Sequence, residues 1–387
     1  MGEPFTRLAP GGSPISARAL RALVREEHPE DALRQVLRDR FDERVLTLHA
    51  SGRDALRVAF GLLARRTGRV EIAIPAYSCF SIPAAAVAAG LRVRLVDIDP
   101  TGRLSRTFLE NLPLDHVAAV VVANLFGVPE AISDVVELAD RFGAGVIDDA
   151  AQTLGGASPE GPVGARSEIG ILSFGRSKPL SALGGGAVVW REAPLEGAVA
   201  DAAEPPNRGS ALLRAAFYDF ARMPPTLRAL AAIPALGIGT TEYDPAFVQG
   251  PMPGAAVALA AALLPELDTA NRSRRDCALA LAQRLNDDTE FTPLLAADGD
   301  IGIYPRLGAL APTPELRDAA VIALRWLGAT AMYPTPLDKI AALRPHLAGS
   351  TDCPGARDFC ERLITLPTHA GMHRRRVDKV IEIIRNL

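Results

Sequence analysis

The sequence predicts an α/β protein: a mostly parallel central sheet with helices on both faces, followed by a smaller C-terminal α/β domain. Two observations predict it. Short runs rich in β-branched residues, at 70–75, 91–98, 116–125 and 145–149, alternate with stretches of helical spacing at 54–65, 82–89 and 130–142. Strands alternating with helices give βαβ units, whose strands pair in parallel and are covered on both sides. The second observation is length, because 387 residues suffice for one large domain plus a smaller one.

The later elements follow in order. Two more apolar runs, 169–174 and 186–190, are separated only by a loop holding Lys178 and a Gly184-Gly185-Gly186 turn. This spacing predicts strand, loop and strand with no helix between. Residues 191–250 change character, with Pro205-Pro206, Pro224-Pro225 and short helical candidates such as 211–221, and read as an irregular helical excursion. A long Ala/Leu-rich helical pattern at 254–285 then links the large domain, 1–253, to the small one, 254–387. The chain ends in an amphipathic helix with Val377, Val380, Ile381 and Ile384 on one face.

Composition excludes several classes. With 48% hydrophobic and 22% charged residues the chain reads as a soluble globular enzyme, not a disordered segment. A net charge of -3 gives no electrostatic case for nucleic acid or an anionic membrane, and Arg374-Arg375-Arg376 reads as a solvated face. The four cysteines, Cys79, Cys277, Cys353 and Cys360, show neither zinc-ligand spacing nor a disulfide framework, so no metal is expected and a reduced, cytoplasmic chain fits. Residues 1–14 are Gly/Pro-rich, unlike a signal peptide, and the apolar runs break before membrane-spanning length.

The residues able to carry chemistry gather at the predicted strand ends, where a parallel sheet opens into its ligand crevice. Asp148-Asp149 end the run at 145–149 and precede Ala150-Ala151-Gln152. An acid there stays ionised beside a cation, and a protonated pyridinium nitrogen is such a cation. Aspartate at a strand end also caps helices; of the pair, Asp149 is read as the cofactor acid and Asp148 as structural. One strand later, Ser173-Phe174-Gly175-Arg176-Ser177-Lys178 brings a hydroxyl and a lysine into one loop. Lysine forms imines with aldehydes, and desolvation near other cations prepares it to attack. Ser173 is able to donate to a phosphate from the same loop. Alone, that loop would read as surface; its combination with Asp149 points to pyridoxal 5'-phosphate (PLP) held by Lys178 as a Schiff base. In Ala50-Ser51-Gly52-Arg53-Asp54 a small-residue turn enters a helix, where glycine and the first amides suit an anion and Arg53 adds charge. In Pro75-Ala76-Tyr77-Ser78-Cys79-Phe80-Ser81, Tyr77 or Phe80 either stacks on a flat cofactor or is a buried loop ring.

In chain order these stretches resemble the sugar aminotransferases of the DegT/StrS type. These are PLP enzymes of fold type I that place an amino group on a keto sugar, usually a nucleotide-linked one, or on a cyclitol. The resemblance runs from about residue 45 to 387. It includes Ile74-Pro75-Ala76-Tyr77, Val96-Asp97-Ile98-Asp99-Pro100, Asn124-Leu125-Phe126-Gly127, Ile147-Asp148-Asp149-Ala150-Ala151-Gln152, Ser173-Phe174 with Lys178, Gly185-Gly186-Ala187-Val188, Tyr333-Pro334-Thr335-Pro336 and Leu366-Pro367-Thr368-His369. It implies Lys178 as the Schiff-base lysine, Asp149 at the pyridine nitrogen, Gln152 beside the ring, and Ser173 with the Ser51-Gly52-Arg53 turn at the phosphate. Asn124 joins the cofactor set through its motif. The resemblance further implies an amino-acid donor, glutamate, and a homodimer with shared active sites.

Several positions depart from the family pattern. Arg53 stands where the turn commonly has Thr. Cys79 aligns with the ring-stacking aromatic, which leaves Tyr77 or Phe80 to serve. Gln249-Gly250-Pro251-Met252 aligns with an Asn-Tyr-Arg-Met segment that reaches the neighbouring subunit's phosphate, and Met332-Tyr333-Pro334 with a His-Tyr-Pro stretch. Gln249 therefore remains a cofactor candidate, while Arg176, Gln249, Tyr304, Arg306, Tyr333 and His369 are candidates for the pocket wall. Two other readings keep the fold: a PLP elimination, replacement or decarboxylation on an amino-acid-derived substrate, or a non-catalytic protein. The intact set of Lys178, Asp149 and Ser173 weighs against the latter.

Overall fold

The computed structural model describes residues 7–12, 15–104, 106–193, 207–231 and 243–387. In chain order its strands are β1 (Val45–His49), β2 (Glu71–Pro75), β3 (Arg92–Val96), β4 (Val117–Ala123), β5 (Gly145–Asp149), β6 (Ala157–Ser158), β7 (Gly161–Pro162), β8 (Ile169–Ser173), β9 (Gly186–Trp190), β10 (Thr292–Pro293), β11 (Arg306–Leu310), β12 (Leu347–Ala348) and β13 (Leu363–Pro367). Eight form the central sheet in the order β1-β9-β8-β5-β4-β2-β3-β12. Neighbours from β8 to β12 pair in parallel, and β9 runs antiparallel to both β1 and β8. The reversal follows from the connection. The Lys178 loop joins β8 to β9 without a crossover helix, so the chain returns beside itself.

Strands β2, β5, β8 and β9 are buried at every position, which explains why they are apolar except at Glu71, Asp148, Asp149 and Ser173 at their ends. Alternate residues feed opposite layers. Ile72, Ile74, Ile147, Ile171 and Val188 pack under the helices Gly52–Thr67 and Ser81–Ala88. On the other face, Ala73, Val120 and Val146 meet the helix Ser133–Arg141. Further along that face, Leu172, Ala187 and Val189 meet the helices Ala17–Arg25, Pro29–Arg40 and Gly254–Leu263.

The strands β10, β11 and β13 form an antiparallel sheet whose core includes the helices Leu267–Asp288, Pro314–Leu324 and Arg374–Arg385. Val377, Val380, Ile381 and Ile384 are all buried, as their spacing predicts. The single helix expected over 254–285 is two, Gly254–Leu263 and Leu267–Asp288, with a tight turn at Leu264–Glu266 between them. Pro265 has no N–H to continue the ladder, and its ring clashes with a continuing helix. Among the described residues no helix is long and apolar enough to cross a membrane.

One close approach constrains the sheet near the site. A Cβ on Gly170, in β8, would sit 1.7 Å from the carbonyl oxygen of Gly164. Backbone cannot yield as a flexible side chain can, so Gly170→Ala should destabilise the fold by about 3 kcal/mol or more. Thermal denaturation checks this, and an unchanged melting temperature would refute the close approach.

Candidate active site

The carboxyl ends of β4, β5 and β8 and the head of the helix Gly52–Thr67 enclose a cleft. Gly52, Arg53, Cys79, Asn124, Asp149, Gln152, Ser173 and Lys178 line it, with Leu56, Ser81, Ile82, Ala123, Leu125 and Ala151 between them. The empty space it encloses, open mouth included, is about 430 Å³.

The helix head is built to face an anion. Ser51 caps it, its Oγ accepting from the Asp54 N–H at 3.1 Å. A Cβ on Gly52 would lie 2.7 Å from Ser173 Cβ and 2.9 Å from Ser173 Oγ, so only glycine lets the helix head abut the serine. The Gly52 and Arg53 N–H groups, in the first turn, have no acceptor within their own helix, and they lie beside the Ser173 hydroxyl at its positive end. The Arg53 guanidinium departs from the expected phosphate role. Its Nη1 donates to the Asp244 carbonyl at 3.0 Å, and the group lies over the Phe247 ring, 5.2 Å from its centroid.

The two consecutive aspartates have different fates. Asp148 is fully buried and bonded on both oxygens: Oδ1 accepts from Arg166 Nη2 (2.8 Å) and Asn124 Nδ2 (2.9 Å), and Oδ2 from the Gly164 N–H (2.7 Å) and Arg166 Nε (3.0 Å). Asp149 points into the cleft with one oxygen bonded, Oδ1 accepting from the Ala151 N–H at 2.9 Å. Oδ2 accepts no hydrogen bond from the described residues. Burial pushes the Asp149 carboxyl up to about 6, against the pull of the Ala151 N–H and of the Lys178 charge. A buried carboxyl with a free oxygen, next to a lysine, fits the protonated ring nitrogen of PLP.

Gln152 is held at both ends. Its Oε1 accepts from the Phe126 N–H at 3.1 Å and its Nε2 donates to the Tyr333 hydroxyl at 3.0 Å. A backbone N–H can only donate, so the amide orientation is fixed, with one Nε2 hydrogen uncommitted at the cleft. Tyr333 is held in turn by Tyr77, whose hydroxyl accepts from the Tyr333 N–H and donates to the Met332 carbonyl. Lys178 sits half-buried in a loop braced on Gly175, whose carbonyl accepts from the Lys178 N–H at 3.3 Å and from Ser181 Oγ at 3.3 Å. The preceding Ser177 adopts a left-handed φ of 62°, a conformation that costs a non-glycine residue energy and that sites of function often hold.

Three residues expected at the cofactor do not line the cleft, apart from the cap Ser51. Tyr77 is 1% exposed and packs edge-on against Phe359 at 4.9 Å, its hydroxyl committed as described. Phe80 packs against the Tyr333 ring at 5.5 Å. Cys79, not a ring, therefore occupies that wall. Gln249 is exposed, although its neighbour Gly250 is anchored at the helix head through its N–H to Asp54 Oδ2 at 2.9 Å. Arg166 and the Tyr333–Gln152 contact were not assigned from sequence. The signal for Arg166 was a lone cation among small residues, Val163-Gly164-Ala165-Arg166, just before an apolar strand.

The raised Asp149 pKa has a sign. For a carboxyl whose folded pKa lies above its unfolded value near 3.8, ionisation opposes folding. The penalty is absent at lower pH, grows as pH rises, and is complete above about 6. Cofactor-free Asp149→Asn should therefore be more stable than wild type at pH 7.5 by ~1–3 kcal/mol, and about equal near pH 4. Chemical denaturation at the two pH values checks this; a variant less stable at pH 7.5 would contradict it.

Comparison with known proteins agrees with this geometry. The model of the DegT/DnrJ/EryC1/StrS aminotransferase family matches residues 29–209 and 238–385. The UDP-N-acetyl-3-dehydro-alpha-D-glucosamine 3-aminotransferase of Acidithiobacillus ferrooxidans is 32% identical over 149 residues, which cover 38% of this chain and 40% of that one. Protein MosB of Rhizobium meliloti is 34% identical over 147 residues, covering 38% of this chain and 29% of that one. The chain thus spans well under half the length of either curated relative. Among solved structures, Helicobacter pylori PseC, an aminotransferase involved in the biosynthesis of pseudoaminic acid, superposes with a TM-score of 0.76 at 17% identity, covering 98% of each chain. That likeness is one of fold. With the family model matching most of its length, this chain belongs to the DegT/DnrJ/EryC1/StrS aminotransferase family.

Proposed function

We propose that this protein is a PLP-dependent aminotransferase that moves an amino group from an amino acid, glutamate in the first instance, to the keto group of a sugar, a nucleotide-linked sugar or a cyclitol. The observation that carries the reading is the buried Asp149 carboxyl, with its free oxygen and its lysine neighbour, on the cleft that Ser173 and the helix head also face. The amino acid leaves as its 2-oxo acid and the keto sugar as the amino sugar, with one water taken up and one released.

PLP, when bound, supplies a conjugated ring that takes up the electrons of a substrate carbon as its proton leaves. Ser173 Oγ and the Gly52 and Arg53 N–H groups bind the phosphate. Asp149 holds a proton at the ring nitrogen. Gln152, oriented by Phe126 and Tyr333, offers its remaining amide hydrogen to the ring. Asn124 Nδ2 donates to the Asp149 carbonyl at 2.9 Å and so sets the backbone from which the acid projects. Lys178 Nζ would hold the cofactor and would move the proton at the substrate carbon, as base and then acid. The cofactor-binding unit runs past the expected boundary at 253 through the helix Gly254–Leu263, which packs on its sheet, the small unit begins with the helix Leu267–Asp288, and β12 returns to the large sheet. The protein acts in the cytoplasm as a homodimer in which Gln249, exposed in a single chain, meets the neighbouring site.

Lys178→Ala should lower the rate of amino transfer by about 10³-fold or more. Glutamate added to the wild-type holoenzyme should bleach its visible absorbance band. If no amino acid bleached that band, transamination would be the wrong reaction.

A further inference from the structure

The helix Arg208–Arg222 is turned inside out: small residues face the protein and large apolar ones face away. Ala211 and Ala215 are buried against the helix Gly254–Leu263. Leu213, Phe217 and Phe220 fall on one helical stripe and are 75%, 68% and 55% exposed. Residues two apart in a helix lie about 200° round from each other, so Leu213 and Phe217 stand opposite the two seated alanines. Met223, where the helix ends, is 53% exposed. Single exposed apolar residues are ordinary, but a continuous stripe of them marks a contact surface.

The neighbouring helix supplies charge. Ala17–Arg25 lies antiparallel beside Arg208–Arg222. At one end Arg208 Nη1 donates to the Val24 carbonyl at 3.4 Å and its Nη2 to the Glu26 carbonyl; at the other the Ile15 N–H donates to Asp219 Oδ1 at 3.1 Å. This helix rests on the same support through Ala19 and Leu23. Arg18, Arg21 and Arg25 therefore stand on its outer side, all exposed. Arg214 is exposed beside the apolar stripe. Among the described residues none of these arginines forms an ion pair. The only acid within the two helices is Asp219, and both its oxygens face the Ile15 N–H. The net charge of -3 over the whole chain thus conceals a local excess of cations.

We propose that the outer sides of the helices Ala17–Arg25 and Arg208–Arg222 dock the protein on an anionic lipid bilayer. Leucine and phenylalanine on one stripe with arginines alongside is the make-up of helices that lie in a membrane interface, where the rings reach the acyl boundary and the guanidinium groups the phosphates. A second copy of the chain fits less well. A two-fold contact uses the same patch twice, and this patch has no uncommitted carboxylate to meet its arginines. The attachment is peripheral: among the described residues no helix is long and apolar enough to cross a membrane.

The test is flotation of the PLP-loaded protein with vesicles of phosphatidylglycerol and phosphatidylcholine in equal parts, and with vesicles of phosphatidylcholine alone. Wild type should float with the anionic vesicles only, and less as salt is raised. The triple variant Leu213→Ser, Phe217→Ser, Phe220→Ser should partition about 30-fold more weakly or worse. The triple variant Arg18→Gln, Arg21→Gln, Arg25→Gln should lose about 10-fold or more. Both should keep the wild-type melting temperature, because the altered side chains are exposed. Wild type left behind by the anionic vesicles, equal binding to both vesicle types, or undiminished binding by the serine variant would each overturn the proposal. So would a serine variant that runs as a smaller species than wild type on gel filtration, which would make the stripe a subunit contact. The comparison of the two vesicle types needs no variant and decides even if the serine variant does not fold.

Discussion

The Asp148–Arg166 pair is the interaction around which the site is organised. Both side chains are fully buried, where an ion pair holds only if its remaining donors and acceptors are also met. They are met here: Arg166 Nη1 donates to the Glu130 carbonyl at 2.8 Å, and its Nη2 also reaches Asn124 Oδ1 at 2.7 Å. Asn124 Oδ1 further accepts from the Glu130 N–H at 2.8 Å. The network ties the end of β4, the end of β5 and the turn before β8 to one another. Removing either charge would leave the other buried alone, which is strongly destabilising.

Everything the cleft presents depends on that tie. Because Asp148 is spent inside the sheet, the next side chain of the strand, Asp149, must point toward the cleft, and it arrives there buried but with an oxygen free. The helix head comes to the same place because Gly52 and Gly186 allow backbone to touch backbone: a Cβ on Gly186 would lie 2.4 Å from the Gly52 nitrogen. The Lys178 loop lies at this sheet edge because β9 returns directly beside β8. An anion-binding helix end, a buried acid and a braced lysine are thus consequences of one packing arrangement, and their chemistry is complementary to a phosphorylated pyridine aldehyde.

Much of this was legible in the sequence. The strand ends at Asp149 and Ser173, the Gly52 turn and the Lys178 loop could be placed because parallel strands are apolar runs with punctuated ends. The residues that act through others were not legible. Tyr333 and Arg166 lie 181 and 18 residues from the groups they hold, and no local pattern encodes such a distance. Arg53 was misjudged for a related reason, since the Asp244 carbonyl and the Phe247 ring that claim its guanidinium lie far along the chain. Tyr77 and Phe80 looked like stacking rings because loop aromatics at a sheet edge have two fates, and only packing against Phe359 and Tyr333 decides between them. The break at Pro265 could have been read from that residue alone.

The central claim is that Lys178 carries PLP. Reduction of the PLP-loaded protein with borohydride, followed by peptide mass spectrometry, tests it most directly. One modified peptide is expected, with the reduced cofactor on Lys178. Modification confined to another lysine, or no covalent adduct in a protein with a visible band, would contradict it.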